Sequence, residues 1–309
     1  MCYLTAMGVM IDGKYHVDEP QQAGDGSYSR AASVLRDWIT ADGPFTADHG
    51  RYHLYVAWNC PWAHRTLLAR TFYGLAGAIS TSVARPRRTD QGWVFDAEGA
   101  FADTLLGISA LHEVYARQQP AYTGRVTLPV LWDRETGQAV SNESAEIVRM
   151  MRVFGGETDL YPEVLRPEID AWNERIYRTV NNGVYRAGFA ETQAAYDTAV
   201  AEVFETLDAI EARLGESAWL TGDTFTEADL RLFPTLARFD VAYHYAFKCN
   251  IRRIVDYPRL WAYARRIYAM PGVAATVRFD VYKGGYFSPS EKRNPLGIVP
   301  AGPAIDWSL

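Results

Sequence analysis

The chain has 309 residues, 48% hydrophobic and 22% charged, which is ordinary for a globular protein and long enough for two domains. A formal net charge of −6 argues against non-specific nucleic-acid binding but not against a small anion held in a local positive site. No run reaches the roughly 18 apolar residues that a membrane span needs, so no membrane partner is expected.

Met1 to Met10 is apolar but has no basic stretch, which predicts no signal peptide. Cys2, Cys60 and Cys249 form an odd, widely spaced set that resembles neither a disulfide framework nor a zinc site. A reducing cytoplasm is the expected location. The six histidines show no metal spacing, so no metal is expected.

Residues 1–50 read as an N-terminal extension. A short strand or hairpin is expected over Met7 to His16 around Asp12-Gly13, and loop chemistry at Gly24-Asp25-Gly26-Ser27. The spacing of Ala32, Leu35, Trp38 and Ile39 predicts a helix over Ala31 to Thr40. No chemistry is visible here, and a wrapping or capping role is the expectation.

Residues 51–155 read as one domain with the order β-α-β-α-β-β-α. Tyr52 to Val56 has the alternation of a strand, and Ala63, Leu67, Leu68 and Phe72 recur at helical spacing. Between them stand Cys60 and Pro61. Proline is favoured at the first helical position, where its missing N–H has no intrahelical partner anyway. Cys60 is therefore expected at the N-terminus of a helix leaving a strand, where free N–H groups and the helix dipole favour a thiolate. That makes Cys60 a candidate nucleophile. Position 63 is Ala, so the resolving cysteine of a C-x-x-C motif is missing, and an external thiol such as glutathione is the natural partner. His64 lies about one turn further on and is read as structural or solvent-facing.

Ala78 to Val83 reads as the second strand, followed by Arg85, Arg87, Arg88 and Trp93. The stripe Leu105, Ile108, Leu111, Val114 and Tyr115 predicts a helix over Phe101 to Arg117. Val126 to Asp133 reads as a strand entered through Pro129, and Ala139-Val140-Ser141 as the next. Asn142-Glu143-Ser144 then opens a helix through Met150. Gly155 to Pro162 is the expected linker.

Residues 156–309 read as an all-helical domain. Helices are expected over Pro167 to Val180, Glu191 to Leu214, Thr226 to Phe239 and Pro258 to Met270, the third opened by the capping sequence Thr226-Glu227-Ala228-Asp229. The tail from Tyr282 onward, rich in Gly, Pro and Ser, reads as ordered coil.

This plan is α/β plus all-α, a thioredoxin-like N-terminal domain followed by a helical C-terminal domain, and it resembles the glutathione transferases. Several runs narrow the resemblance to the glutathionyl-hydroquinone reductases, or xi-class glutathione transferases. They are Asn59-Cys60-Pro61-Trp62-Ala63-His64-Arg65, Gly124 to Asp133, Asn142-Glu143-Ser144, Val180 to Ala190, Arg238-Phe239-Asp240 and Phe247-Lys248-Cys249. Leu128 stands where the family usually has valine before the proline, a change that leaves the backbone contact intact.

Glutathione offers a γ-glutamyl ammonium and carboxylate, a cysteinyl backbone and a glycyl carboxylate. Glu143 could pair with the ammonium and Ser144 with the γ-glutamyl carboxylate, although Asn142-Glu143-Ser144 would cap a helix in any case. Leu128 would offer its backbone N–H and C=O to the cysteinyl unit. The resemblance implies that Arg125 and Trp93 hold the remaining backbone and carboxylate. It matches Tyr185 to a proton-transfer tyrosine, and Tyr243 and Tyr286 to hydroxyls that hydrogen-bond the thiolate, with Tyr245 and Tyr282 as near alternatives. It further implies a homodimer through the helical domain. The implied activity is glutathione-dependent reduction of glutathionyl-hydroquinones through a Cys60–glutathione mixed disulfide. The alternatives are a conjugating transferase, a thioltransferase or dehydroascorbate reductase, and a non-catalytic module of the same fold.

Overall fold

Every residue of the strand Tyr52–Val56 is buried, as expected of a strand paired on both edges and covered on both faces. The computed structural model describes residues 8–17 and 23–309. Cys2 and Met7 lie outside them. In chain order the strands are β1 (Val9–Ile11), β2 (Lys14–His16), β3 (Tyr52–Val56), β4 (Ile79–Val83), β5 (Gly124–Arg125), β6 (Val130–Asp133) and β7 (Gln138–Ser141). Among the described residues one sheet runs β4-β3-β6-β7 and another β2-β1-β5. β3 pairs parallel with β4, so the chain must cross over between them, and helix α1 (Pro61–Phe72) makes that crossing. The β3–β6 and β6–β7 pairs are antiparallel. Helices α2 (His112–Gln118) and α3 (Ser144–Met150) complete the expected element order.

The register decides where the loops go. Val56 lies opposite Val83, Tyr55 opposite Val130, and Leu131 opposite Ser141. The ends of β3, β4 and β7 and the start of β6 therefore share one end of the sheet. Cys60, the segment after β4, Leu128-Pro129 and Glu143 are all delivered there.

Contacts divide the chain into two compact units. The first takes in residues 8–17, Ala31–Thr158 and Ser288–Val299, the second residues 23–30, Asp159–Phe287 and Pro300–Leu309. The second unit holds α4 (Arg166–Ile176), α5 (Gly183–Gly188), α6 (Gln193–Arg213), α7 (Glu227–Arg238), the short α8 (His244–Ala246), α9 (Pro258–Tyr268) and α10 (Phe279–Tyr286). Wider π-helical turns occupy Tyr177–Asn181 and Phe239–Tyr243. The start of α7 is fixed by a capping box between Thr226 and Asp229. The buried Asp229 carboxyl also accepts from Leu220 N–H at 3.0 Å and the Tyr263 hydroxyl at 2.8 Å. One side chain thus ties α7 to α9 and to the preceding turn, and burial pushes its pKa up to about 6.

Three expectations are corrected. Residues 31–40 are not helical. Arg36 bridges Ser141, Asp37 N–H donates to Val140 O at 2.8 Å, and Asn142 N–H donates to Leu35 O at 3.0 Å. The open edge of β7 offers backbone partners that a helix would leave unused. Helix α2 begins at His112, not Phe101. Ahead of it Asp103 accepts from the N–H groups of Leu105 (3.1 Å), Leu106 (2.9 Å) and Ile108 (3.1 Å), and Gly107 adopts φ 63°. A carboxylate competing for backbone donors in this way favours a loop over a helix. Finally, the chain beyond Tyr282 is helical to Tyr286, since α10 passes through Gly284 and Gly285. The hairpin at the N-terminus forms as expected, its two turn residues Asp12 and Gly13 having φ 47° and 77°, as a two-residue hairpin loop requires.

Inside the first unit the fully buried His53 ring sits between Ser80 Oγ (2.6 Å) and Ser82 Oγ (2.9 Å). Burial pushes its pKa from 6.5 down to about 4. The folded state therefore holds the ring neutral where the unfolded chain would protonate it. The associated stability is complete above about pH 6.5 and declines as pH falls towards 4, by about 3 kcal/mol in total. Urea denaturation at pH 7, 5.5 and 4 is expected to show this decline, and His53→Gln is expected to flatten it.

Candidate active site

Cys60 is the N-cap residue of α1, with extended backbone (φ −82°, ψ 115°) and Pro61 in the first helical position. Its Sγ accepts from Ala63 N–H at 3.5 Å and lies 3.6 Å from Leu128 O, to which the thiol donates. The sulfur is thus pinned between the first turn of a helix and the turn at the cis Leu128-Pro129 bond. The side chain is nearly buried, at 8% exposure. The Ala63 N–H and the helix start favour an anionic sulfur here, while the Leu128 carbonyl accepts from the thiol.

The turn at Pro129 and the start of α3 are linked by a buried hub. The Tyr115 hydroxyl donates to Thr127 O at 2.8 Å and accepts from Asn142 Nδ2 at 3.0 Å. Asn142 Oδ1 accepts from Leu35 N–H at 3.2 Å. The next residue, Glu143, caps α3 through Oε1, which accepts from Ala145 N–H at 3.1 Å. Ser144, at the first helical position, is buried. Trp93 follows β4, half-buried, with the Arg88 guanidinium 5.2 Å from its ring centre. Arg125 lies on β5, opposite Val9 of β1. The first unit therefore places Cys60 against Leu128 and carries Trp93, Glu143 and Ser144 at the same sheet end, with Arg125 three residues before Leu128.

The second unit brings the three expected tyrosines together. The Tyr286 hydroxyl lies 2.7 Å from that of Tyr185 and 2.9 Å from that of Tyr243. The Phe247 ring lies 5.3 Å from the Tyr185 and Tyr243 rings and 5.5 Å from the Tyr286 ring. Burial pushes the Tyr243 and Tyr286 phenols well above their ordinary value, so both keep their protons near pH 7. Two mutual hydrogen bonds use two of the trio's three protons, which leaves one for an acceptor outside it. Of the alternatives, Tyr245 is 72% exposed and Tyr282 is fully buried beneath the Arg238 guanidinium, 3.8 Å from its ring centre.

Sequence reasoning missed Tyr115, Ser33 and Arg30. Tyr115 was visible only as one member of an apolar stripe. Ser33 donates to Glu143 Oε2 at 2.9 Å. In the second unit Arg30 lies over the Tyr185 ring at 5.0 Å and donates to Asn182 Oδ1 at 2.9 Å. Neither carries a local sequence signal. Among the described residues no group of three His, Cys, Asp or Glu side chains could hold a metal ion, and no helix is long and apolar enough to cross a membrane.

A thioredoxin-like sheet with cysteine at its first helix, followed by a helical region, defines a glutathione transferase. Residues 59–152 match the family model for the glutathione S-transferase N-terminal domain and residues 193–266 that for the C-terminal domain. Glutathionyl-hydroquinone reductase YqjG of Escherichia coli is 48% identical, over 97% of this chain and 96% of the relative. Glutathionyl-hydroquinone reductase PcpF of Sphingobium chlorophenolicum is 43% identical, over 96% and 97%. The solved xi-class glutathione transferase of Natrialba magadii superimposes with a TM-score of 0.92 at 41% identity, over 100% of this chain and 97% of the other. The chain belongs to the glutathione transferase family, in the xi class of glutathionyl-hydroquinone reductases.

Removing the hub hydroxyl with Tyr115→Phe takes a partner from Thr127 O, from Thr127 N–H and from Asn142 Nδ2, which keeps Thr127 Oγ1 at 3.4 Å. The variant is expected to fold and to lose about 1–3 kcal/mol of stability, measured by urea denaturation.

Proposed function

We propose that the chain reduces glutathionyl-hydroquinones to hydroquinones with glutathione as reductant, and that Cys60 is the nucleophile. The observation that carries the reading is the helix-capping sulfur of Cys60, with Ala63 N–H directed at it and no second cysteine within the motif. The relatives named as glutathionyl-hydroquinone reductases support it. So does the glutathione-bound structure of YqjG, which superimposes with a TM-score of 0.89 at 46% identity, over 98% of this chain and 97% of the other.

In this mechanism glutathione sits with its γ-glutamyl ammonium on Glu143 and its γ-glutamyl carboxylate on Ser144. Its cysteinyl backbone pairs with Leu128, and Arg125 and Trp93 hold the remainder. The substrate ring first tautomerises to a keto form, with Tyr185 moving the proton. The Cys60 thiolate then attacks the glutathionyl sulfur. A sulfur–sulfur bond forms, the sulfur–carbon bond breaks, and its electron pair passes to the ring, which is released as hydroquinone after protonation. A second glutathione thiolate attacks the mixed disulfide, releasing oxidised glutathione and the Cys60 thiolate. One glutathione is thereby consumed for each hydroquinone formed. The resemblance assigns Tyr243 and Tyr286 to the thiolate, with the one hydroxyl proton that the trio's mutual bonds leave over as the available donor. The resemblance supports a homodimer through the helical region, and the sparse cysteines suit a reducing cytoplasm.

Cys60→Ala and Cys60→Ser are expected to abolish turnover of a glutathionyl-hydroquinone. Intact-mass measurement of the wild type after substrate exposure is expected to find one glutathione on Cys60, and steady-state kinetics a ping-pong pattern. Full activity in Cys60→Ala, or accumulation of a conjugate from an electrophilic arene without that adduct, refutes the mechanism. Tyr286→Phe interrupts the hydroxyl chain and is expected to slow the hydroquinone-releasing half-reaction about 100-fold in single-turnover kinetics.

A further inference from the structure

We infer that Ser33 is a positioning residue of the glutathione site, and that residues 33–37 form a strap whose work is to set the Glu143 carboxylate for a primary ammonium. The inference rests on the reading that Glu143 meets the γ-glutamyl ammonium of glutathione.

Glu143 needs only one oxygen to cap α3. That bond, Oε1 to Ala145 N–H at 3.1 Å, leaves the rest of the carboxylate free to turn. The other oxygen is engaged from 110 residues away, where the Ser33 hydroxyl donates to Oε2 at 2.9 Å. Ser33 Oγ also lies 3.3 Å from Asn142 O, but a hydroxyl has one proton, and the nearer, charged acceptor is the stronger one. The Glu143 N–H donates to Ser141 Oγ at 3.1 Å. Backbone N–H, cap oxygen and outer oxygen are thus each fixed by a different partner.

The segment that presents Ser33 is itself held at several points. Leu35 exchanges hydrogen bonds with Asn142, through Asn142 N–H to Leu35 O and Leu35 N–H to Asn142 Oδ1. Asp37 N–H donates to Val140 O, and Arg36 pairs with Glu146 through its Nε at 2.9 Å. A strap serving only to cover the edge of β7 would need the backbone bonds alone. The hydroxyl aimed at Glu143 is additional. Ser33 and Glu143 are both half-buried, so neither residue is sealed from solvent. Each carboxylate oxygen can accept more than one hydrogen bond, so the bonds from Ala145 and Ser33 leave room for the ammonium.

The test uses the full-length chain under reducing conditions. Calorimetry compares glutathione with its analogue lacking the α-amino group, glutaryl-cysteinylglycine. Ser33→Ala is expected to weaken glutathione binding about three- to tenfold while leaving binding of the amino-free analogue unchanged. Ser33→Thr, which keeps the hydroxyl, is expected to restore the difference. Unchanged glutathione binding in Ser33→Ala, or equal weakening of both ligands, overturns the proposal, the second outcome marking a merely structural role. A wild-type chain that binds both ligands equally overturns the Glu143 assignment and this inference with it, and that result appears before any Ser33 variant is made.

Discussion

A sulfur at a helix N-cap is held by the bond it accepts, and the bond from Ala63 N–H to Cys60 Sγ is the constraint on which the rest of the first unit depends. It requires the chain to leave β3 extended and turn into α1 within four residues, which Pro61 at the first helical position favours. β3 in turn is fixed by strands on both edges, so its end has little freedom. The antiparallel partner β6 starts beside that end and brings Leu128 O to the sulfur. β7 then returns to the same sheet end and launches α3 from Glu143. A register slip of one residue in β6 or β7 would move every side chain to the opposite face of the sheet, so the position of Leu128 and Glu143 follows from the packing of the sheet.

The second unit works by a different physics. Its Tyr286 hydroxyl touches those of Tyr185 and Tyr243, with the Phe247 and Phe189 rings packed against Tyr185. Desolvation keeps Tyr243 and Tyr286 neutral, while the buried guanidinium of Arg238 pulls their pKa values the opposite way. The two π-helical turns lie beside this arrangement, one containing Tyr243 and the other ending shortly before Tyr185. Such turns shift the helical phase of the side chains that follow, and they are frequent at functional sites.

How much of this was legible in the sequence depended on whether the deciding interaction was local. The strand, Cys60, Pro61 and the helix after it lie within about twenty residues, and the cap geometry follows from proline and the dipole. The order of strands and helices was readable for the same reason, as was the capping box at Thr226. The Ala31–Thr40 segment has helical spacing, but its backbone is claimed by β7 and Asn142, about a hundred residues later. The stretch before α2 has the stripe of a helix, and a single carboxylate, Asp103, takes its backbone donors instead. At α10 two glycines and a nearby proline suggested coil, yet the buried Tyr282 side chain packs the segment as a helix. In each case tertiary partners outweighed a local preference worth a few tenths of a kcal/mol per residue to about 1 kcal/mol.

The N-terminal extension shows why such long-range contacts persist. An edge strand such as β7 exposes unpaired backbone groups, a standing invitation to aggregation. Covering it with residues 35–37 removes that liability. β1 does the same for the Gly124–Arg125 segment, with Val9 opposite Arg125 and Val126 N–H donating to Gly8 O at 3.0 Å. Both covered edges lead directly into site loops, one to Glu143 and the other to Leu128. A few residues before the strap, Tyr28 stacks on Phe189 at 5.2 Å and Arg30 lies over Tyr185 in the second unit. An extension with protection as its sole task would be satisfied by backbone pairing anywhere along an edge. This one pairs where the edges lead into Glu143 and Leu128 and sets the Ser33 hydroxyl on the Glu143 carboxylate, while in the second unit Arg30 lies over the Tyr185 ring.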